Sequence, residues 1–523
     1  MYIIFMIARV RSTALIGLES ELVEVECDAG FGQALFIIVG LPDTSVQESR
    51  ERVRAAFRNS DIPFPRGRVT VNLAPADIKK EGPSYDIPIA LSIILAHEDI
   101  GPTIAPAIRE ALSNSVFLGE LALDGSVRPV RGVLSSVWSS KQRGVSEIFV
   151  PAANAGEATL VNGMTIYAIS HLKQLVEHIL QKTSLIPVTR SIADGNKEST
   201  YLTDMSHVQG QSHVKRALEI AAAGGHNIIL SGSPGAGKTL LARALPSILP
   251  AMSEEEMFDV TRLYSVAGLI TPDAPMITQR PFRSPHHSSS APSMVGGGSV
   301  PRPGEISLAH RGVLFMDEFP EFPRSVLESL RQPLEDGVVT VSRAVASITF
   351  PARCMLVAAK NPCPCGHYGD STATCSCTAG LISKYQKKIS GPLLDRIDLF
   401  VQVPKVSTQE LQNETASEDS RSIRGRVQAA RHRQQQRYKH SGLVTNAEMT
   451  SEMVRRDIAL LPEVKLLLEK AVQQFQLSAR SYYRVIKLAR TIADLAQEDT
   501  ITVSHVAESL QYRHILPSIV VDG

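Results

Sequence analysis

Eight consecutive residues constrain this chain more than any other feature. Gly232, Ser233, Pro234, Gly235, Ala236, Gly237, Lys238 and Thr239 follow an apolar run at 227–230 and precede a helix-forming run at 240–245. In a strand, loop and helix order, the glycines let backbone N–H groups turn inward around an anion, and the helix N-terminus adds positive potential. Lys238 would neutralise the β- and γ-phosphates of ATP, and the Thr239 hydroxyl would hold Mg²⁺. A chance glycine-rich turn does not explain a Lys-Thr pair between those flanks.

Downstream, the apolar run 313–316 ends in Asp317 and Glu318. Asp317 is expected to assist Mg²⁺ through its water shell, and Glu318 to polarise the attacking water. Two acids after a strand mean little alone; combined with the glycine loop they form a hydrolytic pair. A further strand is expected at 354–359, followed by Asn361, whose side chain would reach the γ-phosphate or the water. Arg396 precedes a strand-like run at 399–403. Two readings of it stand: a group that stabilises transition-state charge on a neighbour's nucleotide, or a local salt bridge with Asp395 or Asp398.

These pieces, in this order, resemble the AAA+ ATPases. The runs Arg280-Pro-Phe-Arg-Ser-Pro-His-His-Ser288, Gly304-Glu-Ile-Ser-Leu-Ala-His-Arg-Gly312, Asn361-Pro-Cys-Pro-Cys-Gly366 and Leu477-Ser-Ala-Arg-Ser-Tyr-Tyr483 resemble the magnesium-chelatase-like branch, and within it the ComM/YifB group. The resemblance covers nearly the whole chain. It implies that Arg396 is an arginine finger, that Asn361 is the sensor-1 residue and that Arg480 is the sensor-2 arginine on a helical lid. It also implies a hexameric helicase that drives branch migration during natural transformation. One departure is Lys360, where an apolar or small residue is expected; its charge either acts near the γ-phosphate or turns outward.

Five of the six cysteines lie between Cys354 and Cys377. Cys363-x-Cys365 and Cys375-x-Cys377, joined by a short loop with Gly366, Gly369 and Asp370, suit tetrahedral Zn²⁺, with His367 as a spare ligand. Free thiols and a redox-switched disulfide are the alternatives.

The chain divides on pattern into an α/β front domain (1–182), a polar linker (183–204), an α/β AAA+ core (205–404) and a mostly helical lid (405–523). In the front, Lys80-Glu-Gly-Pro-Ser84 and the segment 118–130 resemble the Lon protease domain, which implies a ribosomal-protein-S5-like fold. Ser84 falls at that family's nucleophile, but Leu134 stands where its lysine base should be, and Lys141 lies about two helical turns beyond. The domain is therefore expected to be non-proteolytic, with Ser84 a turn residue.

Overall charge selects no partner, since 54 Lys and Arg face 53 Asp and Glu. Any contact with DNA must come from a local patch. One candidate is a β-hairpin at 336–349 with Arg343 near its tip, the other the run 421–440 with Arg421, Arg424, Arg426, Arg431, Arg433, Arg437 and Lys439. Either is equally readable as solvated surface. Arg283, His286 and His287, bracketed by Pro281 and Pro285, are expected to order a loop that frames a pore. The apolar residues Met1 to Ile7 lack a basic flank and are far short of the ~20 residues a membrane span needs, so a cytoplasmic protein is expected; Met6 is an alternative start. A chelatase-type motor and a chaperone or protease are the rival readings to a DNA motor.

Overall fold

The computed structural model describes residues 7–30, 32–189, 203–298, 301–342, 347–370, 373–406, 417–439 and 441–513. Met1 to Met6, most of the expected linker and Arg343 lie outside the described residues.

The front domain is built on a seven-stranded mixed sheet in the order Leu35–Val39, Arg68–Ala74, Glu19–Gly30, Ala8–Ile16, Val116–Phe117, Glu147–Pro151, Thr165–Ile169. Strands Ala8–Ile16 and Glu19–Gly30 run antiparallel, with Val10 opposite Val25. Their alternate residues Val10, Val23, Val25 and Cys27 are buried, as a sheet with one covered face requires. The cover includes helix Asp86–Ala96, in which every residue from Asp86 to Leu95 is buried. Asp86 is tolerated there because Arg52 donates to it from Nε at 2.6 Å and the Leu121 amide at 3.0 Å.

The second sheet is all parallel, in the order Phe282–Arg283, Val313–Met316, Met355–Lys360, Ile228–Ser231, Leu399–Gln402. Apart from Phe282–Arg283, its strands are apolar except at the last residues Ser231, Lys360 and Gln402, because both faces are covered. Leu230, Val357 and Ala359 face one core cluster, and Ile229, Leu356 and Ala358 face the other.

The helical end begins with Ser420–Arg437, capped by Asp419, and continues through Ser451–Asp457, Pro462–Phe475, Ala479–Leu495 and Val503–Gln511. The helical periodicity at 458–477 and 482–496 matches the last long pair, separated where Gln476 adopts a left-handed φ of 48°. Two of these helices reach the nucleotide sheet, the first through one apolar face and Ala479–Leu495 through Leu488, Ile492 and Leu495. Ile423, Val427 and Ala430 join the core of the nucleotide sheet, whereas Val464, Leu468, Val485 and Val506 form a cluster of their own.

Helix Glu254–Ala267 carries the front domain. Phe258 meets Trp138 with ring centroids 5.0 Å apart, Arg262 pairs with Glu19 at 2.8 Å, and the Ser265 hydroxyl accepts the Leu134 amide at 3.4 Å. The hairpin Val338–Ser342 and Ser347–Pro351 stands close by: a Cβ on Gly17 would lie 2.6 Å from Ile348.

Candidate nucleotide site

The glycine loop leaves strand Ile228–Ser231 and enters helix Lys238–Ala244. Gly235 and Gly237 take φ of 78° and 86°, a region that side-chain-bearing residues rarely enter, so the loop depends on glycine at both. Lys238 folds back across the loop, its Nζ donating to the carbonyls of Gly232 at 2.6 Å and Ser233 at 2.9 Å and to Asn361 Oδ1 at 3.2 Å. Burial lowers the Lys238 pKa, and Asp317 opposes that shift.

Thr239 Oγ1 donates to Asp317 Oδ2 at 2.8 Å, which places a hydroxyl and a carboxylate where one octahedral cation would accept both. That donor set fits Mg²⁺. Asp317 also accepts the Glu318 amide at 2.9 Å. Glu318 has a left-handed φ of 49°, and His287 Nδ1 lies 3.2 Å from its Oε2. So Lys238, Thr239, Asp317, Glu318 and Asn361 converge at the carboxyl ends of the parallel strands, where open α/β sheets bind ligands. Lys360, one residue before Asn361, is the last residue of strand Met355–Lys360. It is half-buried, and desolvation lowers its pKa.

Arg396 and Arg480 are elsewhere. The Arg396 carbonyl accepts from Asn227 Nδ2 at 3.0 Å, at the amino ends of the same strands. Its guanidinium pairs with Glu335 and donates to the Pro392 carbonyl at 2.6 Å, so the expected local partners, Asp395 and Asp398, do not hold it. Arg480 joins the same Glu335 at 3.0 Å. Arg484 approaches Asp398 at 3.6 Å, and all five groups line one cavity of about 470 Å³. Two guanidinium groups on one carboxylate leave uncompensated positive charge; burial and the neighbours Arg480, Arg484 and Arg331 lower the Arg396 pKa. Glu335 had no signal in the sequence, because its partners lie 61 and 145 residues away.

The other candidates sort unevenly. Arg283 is held by Glu305 through two bonds of 2.7 Å and serves the loop, as does His286 through Ser288 at 2.8 Å. In the basic run, Arg426 pairs with Glu219 and Glu418, Arg433 with Asp499 and Arg437 with Asp494. Arg424 donates to the Ser247 carbonyl, and buried Arg431 to the carbonyls of Ala222 and Ala223. Five of the seven basic side chains thus have partners within the chain, although Arg426 and Arg433 keep theirs at the surface. Leu134 is fully buried in an apolar cluster, and Lys141 donates to the Asn162 carbonyl at 2.5 Å.

The four cysteines do converge, with all Sγ atoms within 4.8 Å of one another. Backbone amides of His367 and Ser376 hold the Cys365 thiol down to about 5, and the Tyr368 amide donates to Cys363 Sγ at 3.3 Å. At Cys375 and Cys377 the backbone amides are outweighed by desolvation and the neighbouring sulfurs, which push both thiols up. Amide N–H groups aimed at sulfur favour thiolates, the form that binds metal.

Three family models match the chain: magnesium chelatase, subunit ChlI, over 204–411; subunit ChlI of Mg-chelatase over 23–154; and the C-terminal part of that subunit over 417–513. Competence protein ComM of Haemophilus influenzae is 42% identical over 513 residues, covering 97% of each chain. An uncharacterized protein of Mycobacterium tuberculosis strain H37Rv is 42% identical over 97% of this chain and 98% of its own. Protein YifB of Escherichia coli K12 is 40% identical over 97% of each. Among the described residues no helix is long and apolar enough to cross a membrane.

Proposed function

The chain belongs to the ComM/YifB family of magnesium-chelatase-like AAA+ proteins, and from that premise we propose that it is a ring-forming ATPase that moves DNA. The observation that carries the reading is the division of charged groups between the two ends of one parallel sheet. Lys238, Thr239 and Asp317 stand at the carboxyl ends, Arg396 and Arg480 at the amino ends. Strands of four residues set about 13 Å between those ends, a separation that favours delivery of the two sets by different chains. In a ring, most simply a hexamer, Arg396 as finger and Arg480 as sensor 2 meet the nucleotide of the adjacent subunit.

Within one subunit the backbone of 232–237 cradles the phosphates, Lys238 neutralises them and Asn361 orients the γ-phosphate or the attacking water. Mg²⁺, when bound, screens the phosphate oxygens; Thr239 and Asp317 hold it. Glu318, steadied by His287, takes the proton of the attacking water. Cys363, Cys365, Cys375 and Cys377 hold zinc. The front domain is non-proteolytic, since apolar packing occupies the position of the missing base. By kinship with ComM, the motor is a cytoplasmic helicase that promotes branch migration while DNA is integrated in natural transformation.

One observation favours a protein substrate instead: five of the 421–440 cations already have partners within the chain, which weakens that run as a DNA-binding candidate. The two readings separate in a steady-state ATPase assay with and without single-stranded and branched DNA. Stimulation by DNA, lost in Lys238→Ala, is expected. Hydrolysis that no DNA form alters would sink the DNA reading and leave the ATPase one standing.

A further inference from the structure

The cysteine loop rests on the nucleotide loop. Between Asn361 and helix Ala379–Gln386 the described residues contain no strand or helix, and Cys363 and Gly366 are the only ones classed as buried. A segment of this length without a core holds one shape only if something cross-links it. The sulfurs are spaced for that. Cys363 and Cys365 are 3.4 Å apart, Cys363 and Cys375 3.7 Å, Cys365 and Cys375 3.6 Å. A zinc ion bonded to four sulfurs at about 2.3 Å has tetrahedral edges of about 3.8 Å. A disulfide would need about 2.05 Å.

The same loop touches the glycine loop at one point and is tied beside it at another. Gly366 has φ of 85°, and a Cβ there would lie 2.5 Å from Pro234 Cδ and 2.6 Å from Pro234 Cγ. The backbone of the cysteine loop therefore lies flat against the Pro234 ring. Farther along, Asp370 pairs with Lys405 at 2.8 Å. Lys405 closely follows Val403, whose amide donates to the Ser231 carbonyl at 2.7 Å and whose own carbonyl oxygen would lie 2.3 Å from a Cβ on Gly232. The glycine loop is thus held between the cysteine loop and the strand end to which that loop is fastened.

We infer that zinc on Cys363, Cys365, Cys375 and Cys377 governs nucleotide affinity by fixing the cysteine loop against Pro234, so that metal occupancy is an input to the ATP site. The inference rests on reading 232–239 as the nucleotide site. Zinc loss releases the loop, Pro234 loses its support, and the amides that cradle phosphate lose their common orientation.

The test uses the purified full-length chain. Zinc content is measured colorimetrically after thiol modification, and binding of a fluorescent ADP is titrated in excess Mg²⁺. The titration is repeated after a zinc-selective chelator and after one equivalent of zinc is restored. About one zinc per chain is expected, with ADP affinity about tenfold weaker on removal and recovered on restoration. Cys375→Ser with Cys377→Ser should behave like the stripped protein, with far-ultraviolet circular dichroism reporting whether it folds. Gly366→Ala separates support from metal: it keeps zinc and still loses affinity, because its Cβ displaces Pro234. Absence of zinc binding overturns the site, and affinity unchanged within about twofold on removal overturns the coupling. If the zinc-loaded chain binds no ADP and matches Lys238→Ala, the nucleotide reading itself has failed, and zinc stoichiometry then reports on the metal site separately.

Discussion

His310 is 3% exposed, its Nδ1 accepts the Arg353 amide at 3.1 Å, and Arg280, Arg311 and Arg353 surround it. Burial first, and then those cations, push its pKa down from 6.5 to about 3. The unfolded chain takes up this proton below about pH 6.5, and the folded chain does not until about pH 3, so protonation favours unfolding throughout that interval. Stability should therefore fall as pH drops from 6.5, by up to about 1.4 kcal/mol per pH unit from this residue. His310→Gln should flatten the dependence by that amount between pH 7 and pH 5, as read from denaturant midpoints. An unchanged slope would mean that His310 takes up its proton alike in the folded and unfolded chain. The sequence holds no hint of this, because Arg280 and Arg353 lie tens of residues from His310 and only the fold brings them around it.

At the scale of the element, helix Ser420–Arg437 is the instructive case. Its row of cations with no acid reads as a face for DNA, yet the fold directs Arg431 inward to cap the carbonyls of Ala222 and Ala223 at the end of helix Ser212–Gly224. Arg431→Ala should leave those carbonyls without donors and open a cavity, lowering stability by about 3 kcal/mol and the melting temperature with it. Arg421→Ala, at an exposed position, should leave the melting temperature in place. Equal effects of the two would contradict the packing role. Strand and helix positions around the glycine loop were legible beforehand because apolar runs and glycines act over a few residues. Side-chain direction on a polar helix was not, since it depends on what the other face meets.

At the scale of the whole molecule, the proposed division of the site between subunits has a consequence for mixtures. Chains carrying Lys238→Ala or Arg396→Ala should each hydrolyse ATP near background, because one lacks the phosphate ligand and the other the transition-state charge. Mixed in equal amounts and allowed to reassemble, they should regain up to about a quarter of the wild-type rate, since about a quarter of random interfaces pair an intact loop with an intact arginine. No recovery after proven exchange would place Arg396 at its own chain's nucleotide. The front domain belongs to the same scale, because its contacts with helix Glu254–Ala267 and with Ile348 tie it to the segment beside the hairpin.

From the sequence alone came the α/β core, the glycine loop with Lys238 and Thr239, the carboxylates Asp317 and Glu318, and the grouping of four cysteines. Each is written in a few contiguous residues whose backbone preferences and chemistry act locally. The tertiary structure alone decided that Arg396 and Arg480 share Glu335, that His287 meets Glu318, that most of the basic run has partners within the chain and that Gly366 lies on Pro234. Those contacts join segments tens to more than a hundred residues apart, and only the packing of sheets and helices brings such segments together.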